Sequence, residues 1–294
     1  MATQVSSPFR DTESSPKTVT TTAGTTLVYE TYGSPDGDPL VFFHGMPGSR
    51  LLGELLDEHA RRQDVQVIAP DRPGFGQSEF PDRFDLSDLS SVLDPLLSAV
   101  GADAVGVVGF SAGAPFALAA AATVPERVTG VDLVAGETPP AFVEDRPGIH
   151  RVLGFLATRS PRILGAAFRF QATLAGRRSA DAIAGTYTAE ESPVDVSAEV
   201  ASVVKADFRE SFAETTAGAV ADCRRIATPW PVDVTDVHQP VRLWHGTADH
   251  LTDVASARAL ASALPHASLT EFDGHGHLGA LLAAREELLA TVGE

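Results

Sequence analysis

AVGVVGFSAGAPFALAAAATV, residues 104–124, decides how the rest of this chain is read. Val105, Val107 and Val108 form a short β-branched run of the kind that makes a strand buried on both faces. The alanine-rich run that follows has strong helix propensity. Ser111 therefore stands at a strand-to-helix corner. Gly109 and Gly113, two residues to either side, suit so tight a corner, because a Cβ at either place would collide with the neighbouring strand and helix.

Working outward, apolar strand-like runs alternate with helix-like spacing. Two antiparallel strands are expected between Thr18 and Gly33, turning at Ala23-Gly24. Leu40-Val41-Phe42-Phe43 is a buried strand, with a helix expected to run to about residue 62, and Val65 to Pro70 is the next strand. Leu86, Leu89, Leu93, Leu96 and Leu97 mark a helix over 85–99 with Asp85 or Ser87 as its cap, and Val128 to Val134 is a further strand. Short connections between alternating strands and helices imply a mostly parallel sheet wound on both sides. From about Gly136 to Pro240 the alternation stops and only helical candidates remain. It resumes with strands at Val241 to Gly246 and Leu269 to Phe272 and a closing amphipathic helix over 278–291. The expected organisation is a disordered tail over 1–17, a core formed by 18–136 and 241–294, and a helical insertion over 137–240.

Five segments then carry a resemblance: His44-Gly45-Met46-Pro47-Gly48, Asp71 to Ser78, the Gly109-Phe110-Ser111-Ala112-Gly113 corner, Gly246-Thr247-Ala248-Asp249 and Gly276-His277. In this order, at strand ends, they resemble the α/β-hydrolase superfamily over nearly the whole chain after residue 20. The resemblance implies an α/β-hydrolase fold with an inserted helical cap, the corner being a nucleophile elbow.

A serine hydroxyl is a weak nucleophile and needs a base, and that base needs an orienting carboxylate. Ser111, His277 and Asp249 supply the three roles in the order this superfamily uses. His275 is the rival base and Glu137 the rival acid. By resemblance the oxyanion donors are the backbone N–H groups of Met46 and Ala112, while His44 and Asp71-Arg72 hold their loops. Serine at the elbow does not suit the alkyl-enzyme chemistry that needs a carboxylate there. Acyl transfer remains, and hydrolysis of a small, mostly apolar carboxylic ester is the expected reaction. Perhydrolase or haloperoxidase-like chemistry, carbon–carbon bond hydrolysis and a noncatalytic ligand-binding role on the same fold are the alternatives.

Composition bounds the partners. The 294 residues carry a net charge of −17, with only two lysines among 22 cations. That balance argues against nucleic acid and against an anionic membrane surface, both of which need a basic patch. It fits either adaptation to high salt or an arginine-rich codon bias. His245, Asp249, His250, His275 and His277 lack the His-x-His-x-Asp-His run of a lactonase-type zinc site, so neither metal nor cofactor is expected. Cys223 is the single cysteine and excludes an intramolecular disulfide. The polar N-terminus has no apolar signal stretch, and residues 104–124 are better explained as strand, corner and helix than as a membrane span, so a cytoplasmic location is expected.

Overall fold

The computed structural model describes residues 16–143, 148–189 and 192–292. Eight strands form one sheet in the order β1-β2-β4-β3-β5-β6-β7-β8. They are β1 Lys17–Thr20, β2 Thr26–Gly33, β3 Asp38–Phe43, β4 Val65–Pro70, β5 Val105–Phe110, β6 Val128–Val134, β7 Val241–Gly246 and β8 Ala267–Phe272. The β1–β2 and β2–β4 pairings are antiparallel and the other five parallel. Of the expected tail, residues 1–15 lie outside the described residues, and Lys17 already pairs with Tyr29 in β1.

Helices α1 Asp57–Arg62, α2 Ser90–Val100, α3 Ala114–Thr123, α9 Val254–Ala263 and α10 His277–Ala290 flank the sheet. Between β6 and β7 the described residues hold no strand, and the helices there are α4 Gly148–Arg159, α5 Pro161–Ala175, α6 Ala180–Ala184, α7 Ala198–Glu210 and α8 Ala217–Arg225.

The strands alternate between two cores, as burial on both faces requires. Val41, Phe43, Val105 and Val107 enter one with α2 and α3. Leu40, Phe42, Val108 and Phe110 enter the other with α10 and residues of α6 and α7.

Three local details differ from the sequence expectation. Residues Arg50–Leu56 are a tight 3-10 turn rather than the start of a regular helix, with Gly53 so close to Tyr32 and Ala69 that a Cβ would lie 2.8 Å from each. The helix expected from residue 85 opens as a 3-10 turn at Leu86–Asp88, held by a capping box between Asp85 and Asp88, before α2 begins. The closing helix is not simply amphipathic: His277 through Leu282 are all buried, because its first turns pack against β7, α1 and the Gly185–Tyr187 turn.

Candidate active site

The corner after β5 is as cramped as the two glycines implied. A Cβ at Gly109 would lie 2.6 Å from the Ala114 Cα, and one at Gly113 would lie 2.0 Å from the Phe43 carbonyl oxygen. Ser111 itself has φ 53°, a left-handed conformation that costs an L-residue about 1–3 kcal/mol and persists only where its surroundings enforce it. Its carbonyl accepts hydrogen bonds from the Ala114 and Glu137 N–H groups, the latter at 3.0 Å. Gly45 brings the loop after β3 against the serine, since a Cβ there would sit 3.0 Å from the Ser111 Cβ and 3.5 Å from its Oγ. Met46 and Ala112 therefore flank Ser111 from two different strand ends. Neither backbone N–H donates to a protein acceptor among the described residues. The Met46 side chain leans away into a small cluster with Ala157, Leu164 and Cys223.

Asp249 and His277 meet beside this corner. The loop after β7 is pressed against the one before α10: the Ala248 N–H donates to the His275 carbonyl at 3.0 Å, and a Cβ on Gly246 would lie 2.1 Å from the same oxygen. The His277 Nδ1–H donates to Asp249 Oδ2 at 2.7 Å. Asp249 Oδ1 accepts from the Leu251 and Thr252 N–H groups at 2.8 and 3.2 Å, and Oδ2 from the Thr252 hydroxyl at 2.8 Å. Burial alone would raise the Asp249 pKa, but His277 and these donors outweigh it and hold the carboxyl at about 2. An ionised acceptor on Nδ1 fixes the tautomer and leaves the Nε2 lone pair available. The His277 ring lies 4.9 Å from that of Phe110, the residue before Ser111.

The rivals are placed elsewhere. His275 turns its Nδ1–H to the Asp273 carbonyl at 2.8 Å and packs on Phe272. Glu137 lines a cavity of about 290 Å³ together with Asp249 and His250. His245 is buried behind Asp249, donating from Nε2 to the Thr252 carbonyl at 3.1 Å, and burial lowers its pKa. Among the described residues no three His, Cys, Asp or Glu side chains converge as a metal ion requires. Two clefts, about 1020 and 940 Å³, lie away from Ser111.

The loop 44–50 is fastened from behind by charges. The Arg72 N–H donates to His44 Nε2 at 3.0 Å, so the His44 proton sits on Nδ1 and reaches the Gly45 carbonyl at 2.8 Å. Burial and the nearby Arg72 cation hold His44 neutral, its pKa well below the ordinary value. Arg72 also donates to the Gly45 carbonyl and forks onto both carboxylate oxygens of Asp222 at 3.1 and 2.8 Å. Asp71 takes the Arg50 N–H and guanidinium. Asp207, on α7, takes the Ser49 N–H at 2.6 Å and hydroxyl at 2.8 Å, and its burial pushes the carboxyl up to about 8.

Thr252, Asp207 and Asp222 escaped the sequence reading. The two aspartates did leave a trace, since Asp207 lies on the same helical face as Val200, Val203, Val204 and Phe208, and Asp222 beside Ala219 and Cys223. A carboxylate on an apolar stripe asks for a buried partner.

A family model described as alpha/beta hydrolase fold matches residues 38–284. The chain belongs to the alpha/beta hydrolase fold family. Among curated relatives, a non-heme chloroperoxidase of Streptomyces lividans is 28 % identical over 284 residues, covering 92 % of this chain and 96 % of the relative. A pimeloyl-[acyl-carrier protein] methyl ester esterase of Aromatoleum aromaticum is 48 % identical over 50 residues, 17 % of this chain and 20 % of the relative. The chain spans less than half the length of that relative and of two others, matching 28 and 43 % of theirs. Among solved structures, an esterase from Exiguobacterium antarcticum superposes with TM-score 0.69 at 17 % identity, over 94 % of this chain and 97 % of that one.

Proposed function

We propose that this alpha/beta hydrolase fold protein is a serine hydrolase, acting as a carboxylesterase on a small, mostly apolar ester. The observation that carries this reading is the Nδ1-bound His277–Asp249 pair at the elbow of Ser111. His277 Nε2 takes the Ser111 hydroxyl proton as Oγ attacks the ester carbonyl carbon. The carbonyl π electrons move to oxygen, and the Met46 and Ala112 N–H groups stabilise that oxyanion. Collapse expels the alkoxide, which receives the proton from His277 and leaves an acyl-Ser111 ester. Water, deprotonated by His277, then attacks the acyl carbon, and Ser111 leaves with the proton returned to it. Asp249 stays ionised throughout and stabilises the imidazolium. Residues 137–240 serve as the cap over the acyl site.

The test is labelling with a fluorophosphonate probe followed by mass mapping, in low and in high salt. Modification of Ser111, lost in Ser111→Ala together with hydrolysis of p-nitrophenyl esters, is expected. Folded protein that takes up no probe in either buffer overturns the reading in favour of a noncatalytic ligand-binding protein.

The near full-length chloroperoxidase match supports a second reading on the same three residues, in which peroxide replaces water at the acyl-enzyme and yields a peracid. Peroxide-dependent halogenation of a dye in acetate buffer, abolished by Ser111→Ala, is its expected outcome.

A further inference from the structure

The large apolar side chains that stand exposed among the described residues are Ile149, Val152, Phe155, Ile163, Phe170 and Leu174, from 47 % to 67 % accessible. All six lie on α4 and α5, two helices packed on each other and joined through Ser160 alone. Their spacing is helical: Ile149, Val152 and Phe155 on α4, and Ile163, Phe170 and Leu174 on α5 with Ala167 between. Each helix turns a different face inward, through Gly154 and Ala157 on α4 and Leu164 and Gly165 on α5, with Leu153, Leu156 and Phe168 packed beside them. The outward arcs have no partner among the described residues.

Charge is segregated onto the same hairpin. Residues 148–178 contain Arg151, Arg159, Arg162, Arg169, Arg177 and Arg178 and no aspartate or glutamate, whereas the rest of the chain sets 16 cations against all 39 acids. The six arginines are exposed, and none is ion-paired among the described residues. The expectation of no membrane partner rested on net charge, and this distribution removes its basis for one face of the molecule.

We infer that the α4–α5 hairpin docks on an anionic lipid surface, with the apolar chains seated among acyl chains and the arginines against phosphates. Phenylalanine, isoleucine and leucine on one arc with arginine on the flanks is the composition of a helix that lies in a bilayer interface. No helix among the described residues is long and apolar enough to cross a membrane, so the hairpin lies on the surface rather than spanning it. A second copy of this chain fits less well, because pairing the two hairpins would face twelve guanidinium groups with no acid between them. The apolar chains project singly from helix arcs instead of lining a pocket, which suits a fluid acyl layer better than a protein surface that needs matching holes. The acidic remainder of the molecule is repelled by the same surface and fixes the orientation.

The test is co-sedimentation with phosphatidylcholine vesicles containing or lacking phosphatidylglycerol, which reads binding independently of hydrolysis. Arg162 and Arg169 line a groove with Trp230, so Trp230 emission is a second readout. Wild type is expected to bind the phosphatidylglycerol vesicles, less so as salt rises, and at least about tenfold more weakly as Arg162→Glu/Arg169→Glu or Phe155→Ser/Phe170→Ser. Both variants alter exposed residues and should keep the wild-type Tm. Three results overturn the inference: no binding to phosphatidylglycerol vesicles at low salt; binding to polyglutamate but not to vesicles, which assigns the face to an acidic protein; and a dimer in sedimentation velocity that Phe155→Ser/Phe170→Ser dissociates.

Discussion

Thr252 has one hydroxyl proton and two acceptors in reach, the Ala135 carbonyl at 3.1 Å and Asp249 Oδ2 at 2.8 Å. The charge-assisted bond is the stronger and takes the proton. Thr252→Val removes a donor from the carboxylate, so the Asp249 pKa rises from about 2 and its His277 bond is less firmly aimed. The expected result is a fall in kcat/KM of roughly tenfold, corresponding to about 1.4 kcal/mol, an acid limb displaced to higher pH, and recovery in Thr252→Ser. Asp249→Asn goes further: an amide presenting its NH2 to Nδ1 reverses the tautomer, and a loss of roughly 10³–10⁴ in kcat is expected, with the fluorophosphonate rate falling in parallel. Cys223 is buried and its thiol pKa is raised, first by burial and then by Asp222, so it should resist thiol reagents until the chain is unfolded. That Asp249 and His277 meet beside Ser111 was legible in the sequence because each sits in a constrained glycine context. Thr252 was not, because a threonine three residues past an aspartate is an ordinary loop residue until the fold brings Ala135 and His277 to it.

At the scale of elements, the junction of β5 with the helical turn after it leaves no room for a methyl group. Gly113→Ala would place a Cβ against the Phe43 carbonyl in the adjoining strand, and neither backbone can yield. Destabilisation of about 2–4 kcal/mol is expected, read as a lower urea midpoint, in the range of overpacked and strained sites. The contact of α7 with the loop after β3 is sensitive to pH. Asp207 holds its proton up to about pH 8 when folded but ionises near pH 4 in the unfolded chain. The unfolded state therefore binds fewer protons between those values, and stability is lost as pH rises from about 4 to about 8. Asp207→Asn keeps an oxygen acceptor for Ser49 and removes that titration. Its Tm should exceed wild type at pH 8 and approach it at pH 5, by roughly 2–4 °C for each kcal/mol relieved. The core strands were legible because short continuous apolar runs mark strands buried on both faces, and α2 because its leucines keep helical spacing. The 3-10 turn at 50–56 was not, since Gly53 is shaped by Tyr32 and Ala69, which are distant in sequence.

Across the whole molecule, charge is spread unevenly and to different ends. Buried pairs such as Arg72–Asp222 fasten one part of the fold to another, and Asp222→Ala would leave the fully buried Arg72 cation without its carboxylate, costing about 3–5 kcal/mol in thermal or urea unfolding. The surface excess behaves differently: a net charge of −17 repels itself, and salt screens it. The Tm should therefore rise from dilute buffer to molar KCl; an unchanged midpoint would remove the case for adaptation to salt. Summed charge was legible in the sequence, whereas its separation into an acidic body and a basic hairpin became meaningful only once α4 and α5 were seen side by side. The fastening of loop 44–50 by Asp207 and Asp222 also bears on recombination between relatives. Exchanging residues 137–240 for the corresponding segment of a relative would bring new helices but discard the two acids that Ser49 and Arg72 depend on. Chimeras on this scaffold need to carry both aspartates with the transplanted segment, so these helices can be swapped only together with part of what holds loop 44–50.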